Sequence, residues 1–177
     1  MHKDVERILF SEEEITEKCK ELACQIDEYY KDVDHIFALG LLKGSIPFMA
    51  ELCKHIKTPL TMNFMQVSSY EGVKSTELKI KHDVDANIEG EHILIIEDIL
   101  DTGKTLSNVK KLLEDRGAKD VKVVTLLDKE EGRTFDFKAD FYGFICPNEF
   151  VIGFGLDFNE NYRQLPYVGV LKESCYK

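Results

Sequence analysis

The feature that most constrains the fold is a set of short, uninterrupted apolar runs separated by stretches with helical periodicity. The clearest run is His92–Ile96, another is Val121–Leu127, and an earlier one is His35–Leu42. Strands that are buried on both faces read as continuous apolar runs and not as alternating ones. The pattern therefore predicts an α/β fold, with a mostly parallel twisted sheet flanked by helices.

Local signals predict the elements between these runs. Ser11 followed by Glu14 is a capping box, which marks the beginning of a helix. Further helices are predicted at Gly44–Ile56 and at about Gly103–Arg116. Further strands are predicted at Leu60–Val67, Phe141–Ile145, Val151–Phe154 and Tyr167–Leu171. The polar segment Ser68–Glu77 is predicted to be a long loop, and loops of that length are often functional.

Size, charge and cysteine content exclude several classes of protein. A chain of 177 residues fits one domain, 1–177, with a substantial core. The 33 acidic and 23 basic residues give a net charge of −10, which argues against nucleic-acid binding. The five scattered cysteines suggest free thiols in a reducing compartment. With no apolar signal segment and no run of membrane-spanning length, we expect a cytoplasmic protein without a membrane partner.

The most informative segment, residues 97–105, follows the His92–Ile96 run and opens the next helix. A helix N-terminus presents unpaired N–H groups and a partial positive charge. Thr102, Gly103 and Thr105 add small side chains, hydroxyls and a flexible backbone. This combination predicts a phosphate cradle.

Three carboxylates lie just upstream, at Glu97, Asp98 and Asp101. They would repel one another at a strand end unless a hydroxyl-rich or metal-bearing ligand relieved the repulsion. One acid could simply cap a helix, but capping does not require three. A P-loop is excluded because it needs glycine five residues before Gly103, where this chain has Asp98.

The sequence IIEDILDTGKTL resembles the phosphoribosyl-pyrophosphate motif of the type I phosphoribosyltransferases, and more narrowly of the hypoxanthine-guanine phosphoribosyltransferases. Matching segments run in order from the region of Glu6 to Lys172. The resemblance implies the type I phosphoribosyltransferase fold, with a small hood built from the chain ends. It also implies Mg²⁺-dependent transfer of a 5-phosphoribosyl group to a 6-oxopurine in purine salvage, by a homo-oligomer (dimer or tetramer). The products would be IMP or GMP and pyrophosphate.

The resemblance also implies roles for individual residues around the sugar. Asp101 would be catalytic and would accept or share the purine N7 proton. The backbone of the segment Leu41–Gly44, with a cis peptide at Leu42–Lys43, would bind pyrophosphate, and Ser69 and Tyr70 would seal a closing loop. The expected phosphoribosyl and pyrophosphate ligands are Lys43, Gly44, Ser69, Tyr70, Glu97, Asp98, Asp101, Thr102, Gly103, Lys104, Thr105 and Arg163. The expected metal ligands are Glu97, Asp98 and, for a second ion, Asp157.

The purine is expected to meet Lys129, Phe150 and Val151, with Asp157 in the same segment. By resemblance, Lys129 would donate to the purine O6, Phe150 would stack on the ring and the Val151 backbone would read the base edge. Arg133 would hold pyrophosphate or Lys129, or would be a surface charge. Without the resemblance, Lys43 would pass as a surface residue and Phe150 as a core aromatic.

Two alternative functions share this fold. A xanthine-preferring phosphoribosyltransferase would use the same residues, because Lys129 and Phe150 do not discriminate at the purine 2-position. A nucleotide-sensing regulator would bind RNA without turnover. The acidic charge balance and the presence of Asp101 favour the enzyme.

Overall fold

Two β-sheets organise the chain in its computed structural model, which describes residues 1–69 and 78–177. The helices are α1 (Glu12–Tyr29), α2 (Ser45–Cys53) and α3 (Lys104–Asp115). The strands are β1 (Val5–Phe10), β2 (Ile36–Leu41), β3 (Leu60–Ser69), β4 (Leu78–His82), β5 (His92–Leu100), β6 (Asp120–Asp128), β7 (Phe141–Ile145), β8 (Val151–Ile152) and β9 (Val168–Leu171).

The larger sheet has six strands in the order β4-β3-β2-β5-β6-β7. Every neighbouring pair is parallel except β3 with β4. The burial of alternate residues on opposite faces of β5 explains why the run from Ile93 to Ile96 is apolar throughout. Leu94 and Ile96 belong to the core cluster with α1 and α2, whereas Ile93 and Ile95 belong to the cluster with α3. The predicted α/β class with a mostly parallel sheet between helices is confirmed.

The smaller sheet is a hood made from both chain ends, as the resemblance implies. Its order is β1-β9-β8, and both pairs are antiparallel. Val5 pairs with Leu171, which lies near the other end of the sequence. The hood has its own small apolar cluster around Val5, Ile152 and Leu171.

The first helix follows its local signal closely. The Ser11 hydroxyl accepts from the Glu14 N–H at 3.2 Å, and the Glu14 carboxylate accepts from the Ser11 N–H at 2.8 Å. Its buried face is formed by five apolar side chains at helical spacing. They are Ile15, Cys19, Leu22, Ala23 and Ile26.

Three sequence expectations about elements were wrong. β5 continues to Leu100, so Glu97 and Asp98 lie within the strand and not after it, because the ladder to β6 extends as far as Asp128. The predicted loop Ser68–Glu77 begins too early, since Ser68 and Ser69 pair with β4. The predicted strand Val151–Phe154 stops at Ile152, where Gly153 takes a positive φ of 94°.

None of the helices within the described ranges combines the length and apolar character that a membrane crossing requires. All five cysteines are free thiols.

Candidate active site

The parallel sheet gathers the predicted site residues at one edge. The turn at Lys43 follows β2, the acids Glu97 and Asp98 lie near the end of β5, and Lys129 follows β6. The carboxyl ends of parallel strands meet at the same edge, where ligands of such sheets bind. The segment from Phe150 to Arg163 reaches this edge from the hood.

The segment predicted to be a phosphate cradle lies between β5 and α3. Gly103 is the N-cap residue with a φ of 84°, a left-handed conformation that favours glycine. The Lys104 N–H makes a long hydrogen bond of 3.4 Å to the Thr102 hydroxyl, and the first turn of α3 borders a cavity of about 150 Å³. The cavity is lined by Glu97, Ile99, Leu100, Asp101, Thr102, Gly103, Thr105 and Leu106.

The two acids of β5 form a tightly coupled pair. Asp98 is only 6% exposed, and one of its carboxylate oxygens accepts from the Ile99 N–H at 2.8 Å. Burial raises the pKa of Glu97 well above its ordinary value, and the charge of Asp98 raises it further. Burial also raises the pKa of Asp98, against the effect of its hydrogen bonds with Glu97 and Ile99. The pair is therefore most stable when the two carboxyls share one proton or when a cation neutralises their charge.

The acid pair fits the metal and diol chemistry expected of it. The Glu97 Oε2 atom is buried and has no hydrogen-bond partner among residues 1–69 and 78–177, so a ligand hydroxyl or a hydrated cation would satisfy it. Across residues 1–69 and 78–177, no three His, Cys, Asp or Glu side chains gather into a metal cluster. Mg²⁺ does not require such a cluster, since it commonly takes one or two carboxylates and completes its shell with substrate phosphates and water.

The turn after β2 packs directly on these acids. The Leu42–Lys43 peptide is cis, as the resemblance implies. A Cβ on Gly44 would lie 1.9 Å from the Asp98 Oδ2 atom, so only glycine fits there. A Cβ on Gly155 would likewise lie 1.9 Å from the Gly44 carbonyl oxygen. Through these two close contacts, the turn at Gly44 packs against β5 on one side and against the segment at Gly155 on the other.

A second cavity, of about 170 Å³, adjoins the cradle. It is lined by Ile99, Asp101, Lys129, Glu149, Phe150, Val151 and Leu156. Ile99 and Asp101 line both cavities, so Asp101 lies where a group in the first cavity would meet a group in the second. Phe150 is 39% exposed, which leaves its ring accessible to a flat ligand.

Lys129 is held at the rim of the second cavity. Its ammonium donates to the Glu149 carbonyl oxygen at 3.3 Å. Both oxygens of the Glu149 carboxylate in turn accept from the Arg7 Nη2 group, at 2.5 and 2.7 Å. The segment that carries Phe150 is thus tied to β1 of the hood on one side and to Lys129 on the other.

The basic residues expected to bind pyrophosphate are paired with acids. Lys43 donates to Glu160 at 2.6 Å. Arg163 lies 3.0 Å from Asp157 and 3.2 Å from Glu160, and it donates to the Gly155 carbonyl oxygen at 2.7 Å. Glu160 thus bridges both cations, and the hydrogen bond from Lys43 lowers the pKa of Glu160.

Comparisons with known proteins agree with this geometry. Residues 8–159 match the family model of the phosphoribosyl transferase domain. The Bacillus subtilis hypoxanthine-guanine phosphoribosyltransferase is 54% identical over 179 residues, which cover 100% of this chain and 99% of that protein. The chain belongs to the hypoxanthine-guanine phosphoribosyltransferase family.

Solved structures of this family have the same fold. A Staphylococcus aureus hypoxanthine phosphoribosyltransferase superposes with a TM-score of 0.95 at 44% identity, covering 100% of this chain and 97% of that one. A Trypanosoma cruzi hypoxanthine phosphoribosyltransferase in complex with the product IMP also gives 0.95, at 39% identity, covering 99% of each chain.

Arg133 has a role that none of the sequence interpretations included. Its guanidinium forms an ion pair with Asp128 and donates to the carbonyl oxygens of Asp101, at 2.9 Å, and Phe137. The contact to Asp128 is the notable one, because it neutralises an acid next to Lys129. Arg133 is neither a free surface charge nor a partner of Lys129 in this structure, and it fixes the main chain at Asp101 instead.

Several residues of the candidate site were not predicted from the sequence. Ile99, Glu149 and Leu156 line the second cavity, and Glu160 pairs with the expected pyrophosphate ligands. Their importance depends on tertiary contacts, which local patterns do not encode. The predicted roles of Ser69 and Tyr70 concern the Ser69 side chain and the whole of Tyr70, which lie outside the described residues.

A separate cavity of about 380 Å³ lies on the far side of Arg133, among Phe135, Phe137 and Tyr142. Neither the acids of β5 nor Phe150 line it. It is larger than the other two cavities, but it lacks the groups that the chemistry of this family needs.

Proposed function

We propose that this chain is a purine salvage enzyme that transfers the 5-phosphoribosyl group of phosphoribosyl pyrophosphate to hypoxanthine, guanine or both. The products are IMP or GMP and pyrophosphate. The observation that carries the proposal is the pair of cavities that share Asp101: one borders the N-terminus of α3, and the other is lined by Phe150 and Lys129.

The sugar phosphate is held at two points in this proposal. The N–H groups of residues 102–105 bind the 5-phosphate, with the hydroxyls of Thr102 and Thr105 and the charge of Lys104 beside them. Glu97 and Asp98 hold the ribose hydroxyls, which supply the partner that the buried Glu97 oxygen lacks. Binding energy from the remote phosphate then orients the reacting carbon.

Asp101 handles the proton of the reaction. The bond between ribose C1 and the pyrophosphate oxygen breaks, and its electron pair leaves with pyrophosphate. The purine N9 lone pair forms the new bond to C1 through a transition state with oxocarbenium character, as in glycoside hydrolysis. The proton on purine N7 passes to the carboxylate of Asp101, a role supported by the fact that this residue lines both cavities.

Mg²⁺ is the proposed cofactor, and when bound it would neutralise and orient the leaving pyrophosphate. Glu97 and Asp98 are the residues that would hold it beside the ribose, and Asp157 would hold a second ion. Both acids of β5 are buried at charge-disfavouring positions, so a cation there relieves their repulsion. Lys43, Gly44 and Arg163 complete the proposed pyrophosphate site.

Base recognition rests on Lys129, Phe150 and Val151. An ammonium donates to the carbonyl oxygen at the purine 6-position and disfavours the amino group of adenine. Phe150 offers a stacking surface at the cavity wall, and the main chain of Val151 reads the base edge. We also propose a homo-oligomer, dimer or tetramer, and a cytoplasmic location, which the free thiols suit.

An ultraviolet assay tests the function directly. Purified protein, phosphoribosyl pyrophosphate and Mg²⁺ are mixed separately with hypoxanthine, guanine, xanthine and adenine. We expect nucleotide formation with hypoxanthine or guanine and none with adenine. Preferential use of xanthine would assign a neighbouring activity on the same fold, and RNA binding without turnover of any base would identify a regulator and overturn the proposal.

Removing the acid that bridges the two cations is expected to tighten phosphoribosyl pyrophosphate binding. In Glu160→Gln, Lys43 and Arg163 lose an anion with which pyrophosphate must compete. Because the side chains of Lys43 and Glu160 are more than half exposed, we expect only a roughly two- to fivefold fall in KM for phosphoribosyl pyrophosphate. Steady-state kinetics at saturating base measures it.

The matched control for this variant is Glu17→Gln, which removes the same charge from an exposed pair with Lys20 on α1. Its KM should equal that of the wild type. A rise in KM for phosphoribosyl pyrophosphate in Glu160→Gln would mean that Glu160 assists binding and does not compete with it.

A further inference from the structure

Three aromatic rings meet on the hood beside the second cavity. The Tyr176 ring stacks on Phe150, with centroids 5.2 Å apart and planes inclined by 27°. Phe158 meets Phe150 edge to face at 5.5 Å, and it also contacts Tyr176 at 6.5 Å. Phe150 therefore has two aromatic neighbours, one stacked on it and one in an edge-to-face contact, and both geometries are favourable.

The chain that follows β9 of the hood sheet places Tyr176 beside Phe150. The Leu171 N–H, at the end of β9, donates to the Phe150 carbonyl oxygen at 2.9 Å. A single 3₁₀ turn, Glu173–Cys175, then reverses the chain, and the Tyr176 N–H donates to the Glu173 carbonyl oxygen at 3.1 Å. Tyr176 is thus anchored through main-chain bonds next to the residue on which it stacks.

Phe150 lines the second cavity together with Ile99, and Tyr176 does not belong to the lining of that cavity. The stack is therefore assigned to the face of Phe150 that is turned away from the cavity. Tyr176 is 36% exposed. Among the described residues, its ring contacts are with Phe150 and Phe158, and the Lys177 ammonium lies 6.0 Å from its centroid.

We propose that Tyr176 is a positioning residue for the purine base. Tyr176 packs behind the Phe150 ring and holds that ring in the orientation on which the base stacks. The Tyr176–Phe150 stack is therefore already formed when the base binds. This inference rests on the proposed function and adds to it a residue that acts through Phe150. Preorganising a contact surface lowers the ordering cost of binding, so the effect belongs to affinity for the base.

Steady-state kinetics of Tyr176→Ala and Tyr176→Phe tests the inference. Both KM values and kcat are measured with hypoxanthine and phosphoribosyl pyrophosphate, together with thermal unfolding. We expect Tyr176→Ala to raise KM for the base about three- to tenfold. KM for phosphoribosyl pyrophosphate, kcat and Tm should change little, and Tyr176→Phe should match the wild type because the ring is retained. Lys177→Ala is the control, because it removes the ammonium 6.0 Å from the ring centroid and keeps the stack of Tyr176 on Phe150.

The outcomes separate this inference from the proposed function. Absence of turnover in the wild type would remove the proposed function before any variant is compared. With the wild type active, an unchanged base KM in Tyr176→Ala, or equal rises in both KM values, would overturn the role of Tyr176. If Tyr176→Ala lowers Tm, Tyr176→Leu keeps the bulk. A wild-type base KM in Tyr176→Leu would then show that the aromatic stack is unnecessary and would also overturn it.

Discussion

Replacing Asp101 with asparagine is expected to lower kcat by about 10²- to 10⁴-fold, the usual contribution of a positioned acid or base. Asparagine has the same shape but does not accept a proton from purine N7. The main chain at this position should stay in place, because Arg133 holds it through the Asp101 carbonyl oxygen at 2.9 Å. Both KM values should therefore remain within a few-fold of the wild type. Steady-state kinetics with each substrate varied in turn measures the effect.

Asp136→Asn is the matched control, since Asp136 is an exposed acid that lines the separate 380 Å³ cavity. It should retain full activity. If Asp101→Asn also retained full activity, Asp101 would have no part in proton transfer, although the rest of the proposed site would stand.

Replacing Gly44 with alanine is expected to damage stability and activity together. The new Cβ would lie 1.9 Å from the Asp98 Oδ2 atom and 2.7 Å from its carboxyl carbon, so the acid must move. Asp98 is buried and bonded to the Ile99 N–H, which leaves little room for that movement. We expect a loss of roughly 1–3 kcal/mol in the free energy of unfolding. A shift of the acid pair by about 1 Å would lower kcat/KM by about 10²-fold.

Denaturant unfolding and steady-state kinetics measure the two effects of Gly44→Ala. Gly90→Ala is the control, because its Cβ would meet no atom within 4 Å, although its positive φ of 78° makes alanine unfavourable there. The control should lose some stability and keep its kinetics. Wild-type kinetics in Gly44→Ala would contradict the close packing of the turn at Gly44 on Asp98.

The sequence predicted best what short-range rules determine. The capping box at Ser11 and Glu14 needs only local contacts, and α1 begins where it indicates. The apolar runs identified the central parallel strands, because a strand that is buried on both faces needs an apolar side chain at nearly every position. β1 and β4 escaped prediction. β1 pairs with β9 at the other end of the chain, and neither strand has a continuous apolar run.

The candidate site was predictable in its parts and not in its connections. The chemistry of residues 97–105 could be argued from charge and helix-end physics, yet the strand was expected to end before Glu97. Acids rarely lie inside a buried strand, and here the ladder to β6 carries them into the sheet. Arg133 is a second example, because its two partners, the Asp101 carbonyl oxygen and the Asp128 carboxylate, come together only in the folded chain.

A crystal structure of the protein with bound IMP is the most direct measurement of the central claim. We expect the 5-phosphate to bind the main-chain N–H groups of residues 102–105, the ribose hydroxyls to contact Glu97 and Asp98, and the base to lie beside Phe150. A nucleotide bound elsewhere, with the cavity at the start of α3 empty, would contradict it.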